Sequence, residues 1–275
     1  MDRRNAMKIT AGLIAGGGIG MFSLASVFKH KPTIDTEPHQ LNYETNNDVW
    51  GYTALSPEHT ARLAYQLYPD GSCMYATFRS VISQLAEIHG EPFASYPYHM
   101  FRYGHGGVGG FGTICGALNG SAALFGLFVS EKSVRDALIT NLFQWYEKKP
   151  HPIFKPDDSE MILPAIASNS VLCHASNTHW SKVAGVEIES KERKERCRRL
   201  TADVAAKVVE SLNALFDNTY MANTHNNQNV ESCMACHGNE GKLKNTAGKM
   251  DCNSCHDESF GHKVLSDVHY RMMKE

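Results

Sequence analysis

Two motifs, Cys233-Met-Ala-Cys236-His237 and Cys252-Asn-Ser-Cys255-His256, place paired thiols three positions apart with a histidine directly after the second. They stand in the part of the chain least able to fold by itself. Between Met221 and Lys263 the large apolar residues are Met221, Val230, Met234, Leu243, Met250 and Phe260 alone. Ordering a backbone costs ~1–2 kcal/mol per residue, which so little apolar surface does not offset. The segment is therefore expected to fold around something that is not protein. C-x-x-C-H is the attachment signature of c-type haem. Two thiols on one helical turn reach the two vinyl groups of one porphyrin, and the adjacent histidine meets the iron. This reading assigns Cys233, Cys236, Cys252 and Cys255 to thioethers, His237 and His256 to the proximal iron positions, and two haem c groups to the chain. The same cysteines also read C-x2-C-x15-C-x2-C, a zinc-ribbon spacing in which a structural metal would fold the segment. A histidine after both pairs favours haem.

Each iron needs a sixth ligand. His225 precedes the first motif, and His262 and His269 follow the second, giving three candidates for two distal positions. Met250, Met272 and Met273 offer the thioether alternative, which raises the haem potential. The concentration of histidines favours bis-His ligation and fairly low potentials.

The N-terminus reads as an address rather than as structure. Arg3, Arg4 and Lys8 precede an apolar, glycine-rich run from Ile9 to Phe28, closed by Lys29. Twin arginines before a weakly hydrophobic stretch resemble a bacterial Tat signal, although Ala6 and Met7 stand where that motif usually has Phe and Leu. Ser23-Leu24-Ala25 is a small-residue cleavage site, so residues 1–25 are expected to be removed and the mature protein to be periplasmic, with no membrane association after removal. The competing reading is an uncleaved anchor, since a span needs ~20 apolar residues. Net charge is −2, and the one basic block, Lys191–Arg199, reads as a solvated helix face, which argues against nucleic acid as a partner.

Residues 26–49 are polar and aperiodic, a linker or a tail that wraps something. From Trp50 the pattern is helical. Ser56-Pro57 caps a helix that runs to about Tyr68, Asp70-Gly71 makes a turn, and Cys73 opens a helix ending near Gly90. A further helix runs from near Cys115 to Phe128. Ser130 is placed to cap the next, with Val134, Leu138, Leu142 and Trp145 on its apolar face. Between Ser190 and Phe216, Cys197, Leu200, Val204, Val208, Leu212 and Leu215 form one stripe. No stretch alternates with period two. The expected fold is mainly α: a helical domain over 50–217, then a small, core-poor dihaem domain over 218–275.

Cys73, Cys115, Cys173 and Cys197 lie in the helical domain. Two disulfides are the plain reading for an exported protein. A functional reading competes with it. The glycine-rich run Gly104–Gly112 leads into Cys115 at a helix N-terminus, where the dipole stabilises a thiolate. Cys73 also opens its helix, and Cys173 precedes His174 in a polar loop. Gly104, Gly106 and Gly109 match G-x-G-x-x-G, but no buried strand precedes them, so a dinucleotide site is not expected. Haem c is attached after export, whereas an iron–sulfur cluster is assembled in the cytoplasm. Four cysteines behind a folded-protein export signal are thus consistent with a cluster.

These residues resemble known families. A lone Cys73, a glycine-rich run into Cys115-Gly-Ala-Leu-Asn-Gly120, then Cys173 and Cys197 look like the redox-active C_GCAxxG_C_C family. Here Ile114 precedes Cys115, Gly116 follows it, and Gly120 stands five residues on. Joined to two C-x-x-C-H motifs, residues 50–275 are similar to the split-Soret cytochrome c family. The resemblance implies a homodimer with two stacked bis-His haems per chain, distal histidines reaching across from the partner, and an iron–sulfur centre, [2Fe–2S] or another, with Cys73, Cys115, Cys173 and Cys197 as candidate ligands. The function it implies is electron transfer with redox partner proteins. The rival from another class is a small-molecule reductase with an open haem or an under-ligated cluster. Three nearby histidines can fill both haems and favour the carrier.

Overall fold

The computed structural model describes residues 38–44, 48–223 and 228–252. The helix α1 (Pro57–His89) begins where Pro57 fixes φ and the Ser56 hydroxyl accepts from the His59 amide at 3.2 Å. It is two limbs joined at Ser72, whose φ of 65° and ψ of −162° interrupt the helix three residues after Pro69. Cys73 is therefore the first residue of the second limb. That limb buries Met74, Phe78, Val81, Ile82 and Leu85 and stops at Gly90, whose φ of 69° suits a residue without Cβ.

After a 3-10 turn over Tyr98–Tyr103 and the glycine loop come α2 (Gly116–Phe128) and α3 (Lys132–Lys148). The residues before G-x-G-x-x-G are thus a turn and not a strand. Small residues let α2 lie against α1: Gly116, Ala117, Gly120 and Ser121 are all buried. Two expectations for α3 need correction. Its N-cap is Glu131 rather than Ser130, whose amide instead donates to the Tyr43 hydroxyl at 3.3 Å. Its inward row is Val134, Leu138, Leu142 and Tyr146, four apart, while Trp145 is half-buried with its ring edge-on to His151.

Two short antiparallel pairs tie the connections. One joins β2 (Pro150–His151) to β3 (Ile166–Ala167). The other joins β1 (His39–Gln40) to β4 (Met221–Ala222), and Tyr43 beside it is buried with its hydroxyl on the Phe128 carbonyl at 3.1 Å. The polar tail at 38–44 is thus wrapped onto the helices.

The helix α4 (Cys173–Ala184) occupies what reads as a polar loop. It lacks an apolar period because the face it buries is polar, with Ser176 and Ser181 beside Trp180. The helix α5 (Lys191–Phe216), capped by the Ser190 hydroxyl, packs chiefly on α1. Its whole expected stripe is buried, each large aliphatic side chain contributing ~1.5–3 kcal/mol. The basic block is not uniformly solvated, however: Arg196 and Arg199 are 1% and 3% exposed. The last described helix, α6 (Gln228–His237), buries Val230. No helix among the described residues is long and apolar enough to cross a membrane.

Candidate redox centres

Four local devices bring Cys73, Cys115, Cys173 and Cys197 to one place. Ser72 breaks α1 so that Cys73 opens a helix limb. Residues 113–115 run antiparallel to 171–173: the Cys115 amide donates to the Val171 carbonyl at 2.8 Å, and the Cys173 amide donates to the Thr113 carbonyl at 2.7 Å. That bridge sets Cys115, the N-cap of α2, beside Cys173, the first residue of α4. Cys197 comes from the buried stripe of α5. All four are buried free thiols.

The sulfurs are close enough to feel one another's charge. Burial pushes the Cys73 thiol well up, and the Cys115, Cys197 and Cys173 sulfurs push it further. Burial likewise raises Cys115, and it takes Cys173 to about 12. Such thiols stay protonated by themselves; ligation to a metal deprotonates them. Around them lies a polar shell. The Cys197 thiol donates to Asn177 Oδ1 at 3.0 Å, and Asn177 Nδ2 donates to Cys173 Sγ at 3.3 Å. Cys73 Sγ is 3.8 Å from the Tyr68 hydroxyl, and the Tyr146 hydroxyl shares a hydrogen bond with Cys115. Arg196 Nη1 also reaches Asn177 Oδ1, at 3.3 Å.

Among the described residues, no three His, Cys, Asp or Glu side chains stand at the mutual distances of a closed metal site. The donor set nevertheless fits a buried iron–sulfur centre. It offers four free thiols, three at helix starts where backbone dipoles favour negative charge. Beside them Arg196 keeps a buried Nε with no hydrogen-bond partner.

The first C-x-x-C-H motif occupies the last turns of α6, which puts Cys233 and Cys236 on one face. The His237 ring is oriented through Nδ1, 3.0 Å from Asn245 Oδ1. Asn245 and Thr246 are themselves held by their amides on the His237 carbonyl, each at 3.0 Å. The second motif starts beside the first. Burial raises the Cys252 thiol, and next in weight comes its neighbour Cys233, to which it is hydrogen-bonded. The segment before it is anchored on α3, where Lys249 Nζ donates to Thr140 Oγ1 at 3.0 Å. Met250 is exposed. Cys255, His256, His225, His262, His269, Met272 and Met273 lie outside the described residues, as do residues 1–25 of the export signal.

Comparison with known proteins decides the family. A curated relative from Desulfovibrio desulfuricans, split-Soret cytochrome c, is 36% identical over 267 residues, covering 93% of this chain and 94% of the relative. The chain belongs to the split-Soret cytochrome c family. A solved structure, described as a novel iron centre in the split-Soret cytochrome c from Desulfovibrio desulfuricans ATCC 27774, matches with a TM-score of 0.72 and 34% identity. That match covers 79% of this chain and 94% of the other. A family model described as "Putative redox-active protein (C_GCAxxG_C_C)" matches residues 75–211, which contain Cys115, Cys173 and Cys197. As a split-Soret cytochrome, the protein is a haem-containing electron-transfer protein, and the mainly helical fold read from its sequence is that of the family.

Sequence reading missed the groups of this split-Soret cytochrome that surround the thiols: Tyr68, Tyr146, Asn177 and Arg196. Two carried a signal. Asn177 is four residues after Cys173, on the same face once 173–184 is recognised as helical, and Arg196 adjoins Cys197 on the buried stripe.

Proposed function

We propose that this chain is an exported, periplasmic, homodimeric cytochrome that carries two haem c groups and an iron–sulfur centre per chain and passes electrons between redox partner proteins. The observation that carries the reading is the pairing of two C-x-x-C-H motifs with four converging buried thiols in one split-Soret chain. When bound, haem and cluster supply one-electron chemistry; the protein supplies attachment, axial ligands, burial and spacing.

Cys233, Cys236, Cys252 and Cys255 form the thioethers, and His237 and His256 are the proximal ligands. The hydrogen-bonding contact of Cys233 with Cys252 brings the first thiols of the two motifs together, and so supports closely spaced haems. His225, His262 and His269 supply the distal positions. Ligation across two chains accounts for the weak core of 221–263. Cys73, Cys115, Cys173 and Cys197 hold the iron–sulfur centre. The related structure's iron centre, the burial of these thiols and the Tat-like N-terminus all support that assignment.

The test is a visible spectrum of the exported protein, oxidised and dithionite-reduced, with a pyridine haemochrome count and analysis of non-haem iron and sulfide. Two haems per chain, a sharp reduced α band, a divided Soret peak and acid-labile sulfide are expected. A colourless protein overturns the cytochrome reading, and haem without non-haem iron or sulfide overturns the cluster. A monomeric variant that keeps normal low-spin bis-His bands refutes cross-chain ligation.

A further inference from the structure

Of the three buried charged side chains on α5, two are paired with a charged or ionisable neighbour and one is not. Arg199, 3% exposed, pairs with Glu195 at 2.7 Å. Asp203, 7% exposed, accepts from the Ile153 and Phe154 amides at 2.8 and 2.7 Å and contacts His151 Nδ1 at 2.9 Å. Arg196, 1% exposed, has no carboxylate partner among the described residues. Its contacts are neutral groups: Asn177 Oδ1 at 3.3 Å, Ser168 Oγ at 3.2 Å, Ser176 Oγ at 2.9 Å and the Cys197 thiol, to which it is hydrogen-bonded. Its Nε has no partner at all. A guanidinium does not give up its proton to escape such a site. A buried cation without a counter-ion is strongly unfavourable, so an anion is missing from its surroundings. What surrounds it is the thiol cluster. Arg196 adjoins Cys197, and Asn177 ties its guanidinium to both Cys197 and Cys173. Thiols are neutral, whereas four thiolates around an iron–sulfur core carry net negative charge.

We propose that Arg196 is the fixed counter-charge of the four-cysteine centre and sets its reduction potential. The inference rests on the iron–sulfur reading of those cysteines. One-electron reduction adds one negative charge to the centre, with no bond made or broken and no proton required. A fixed positive charge at this range, in a medium of low polarity, stabilises the reduced state more than the oxidised one. Arg196 thereby holds the potential above the value the same ligands would give alone. It is a positioning and tuning residue, and it touches the ligands rather than any substrate.

The test uses the full-length exported protein with haems in place, so that haem bands report independently on folding. The non-haem centre is titrated by EPR in wild type, Arg196→Met and Arg196→Lys. The neutral variant is expected to lower the potential, cutting the reduced-to-oxidised ratio at fixed ambient potential at least about tenfold, or 59 mV for a one-electron couple. The charge-preserving variant is expected to stay within about threefold of wild type. Loss of the centre in Arg196→Met, with haem bands intact and Arg196→Lys normal, also supports the charge role. A wild-type potential in Arg196→Met overturns it, and so does equal damage in both variants. Absence of non-haem iron from the wild type overturns the underlying reading together with the inference. A shared, unaltered potential overturns the inference alone.

Discussion

Tyr146 and Glu147 are consecutive on α3 and both buried, yet they meet different neighbours. The Tyr146 hydroxyl lies against Cys115 and donates to Ser176 Oγ at 3.1 Å. The Glu147 carboxyl is buried with its Oε1 unpartnered and feels the charge of Asp251, the residue before Cys252. One turn of helix thus contacts the four-thiol group through Tyr146 and feels, through Glu147, the charge beside Cys252. Burial, then the charge of Asp251, pushes the Glu147 carboxyl up to about 7 from an ordinary value of 4.5, against weaker opposing effects of the Val171 hydrogen bond and Lys148.

The sign of the resulting pH dependence is the reverse of the common carboxylate case. The folded protein keeps the Glu147 proton up to about pH 7, while the unfolded chain releases it near 4.5. Stability is therefore lost as pH rises through that window, by about 3 kcal/mol at most. Glu147→Gln, which cannot ionise, is expected to flatten this dependence and to be the more stable form above pH 7. Urea unfolding at pH 5 and pH 8 checks it; a wild-type pH slope in the variant contradicts the assignment.

Asn245 should matter to haem electronics rather than to folding. Its Oδ1 fixes the His237 ring through Nδ1 and makes the imidazole a stronger donor. Asn245→Leu removes that acceptor. The potential of the haem at Cys233–His237 is expected to rise by tens of millivolts, up to about 59 mV for a tenfold change, with low-spin bands retained. Spectroelectrochemistry that shows no change would exclude this role.

Phe78 links the core to the glycine loop. It is 1% exposed, and its ring lies 4.1 Å from Phe101 and 5.0 Å from Tyr96, centroid to centroid. Phe78→Ala is expected to cost about 3–5 kcal/mol. Because Phe101 anchors the turn before the loop, protease sensitivity at 104–112 should rise with it. Denaturant unfolding and limited proteolysis measure the two effects; a loss below about 1 kcal/mol would mean that the pocket collapses.

Where side chains repeat at helical spacing, the sequence and the structure agree. Cys197, Leu200, Val204, Val208, Leu212 and Leu215 are all buried on α5, and Ser56-Pro57 and Ser190 start helices as capping chemistry requires. The helix α4 escaped notice because it buries serines, which carry no apolar period. Arg196 was hidden for a related reason: hydrophobicity ranks it with its solvated neighbours, and only the placement of Asn177, Ser168 and Ser176 gives it a reason to be inside. The two C-x-x-C-H motifs stand out in the sequence because covalent attachment demands a fixed spacing. The convergence of four distant cysteines was legible only through family resemblance, since it depends on the Ser72 break and the 114–172 bridge.

That convergence has a steric weak point at Gly116. This residue follows Cys115 at the start of α2, and the backbone of the glycine loop crosses beside it at Gly104. A Cβ there would collide with the Gly104 carbonyl oxygen and crowd the Cys73 Cβ at 3.1 Å. Neither neighbour can yield like the tip of a long side chain, because one is backbone and the other is the root of a candidate ligand. Gly116→Ala must therefore shift α2, taking Cys115 away from Cys73, or shift the loop. Overpacking of this kind costs about 1–3 kcal/mol, which a helical core of this size survives. The expected outcome is selective: non-haem iron and sulfide fall sharply while the haem count and Soret shape stay normal, because the attachment motifs lie on α6 and beyond. Metal analysis against pyridine haemochrome measures the ratio directly. Full non-haem iron in Gly116→Ala would show that the centre does not depend on the close approach of α2 to the loop.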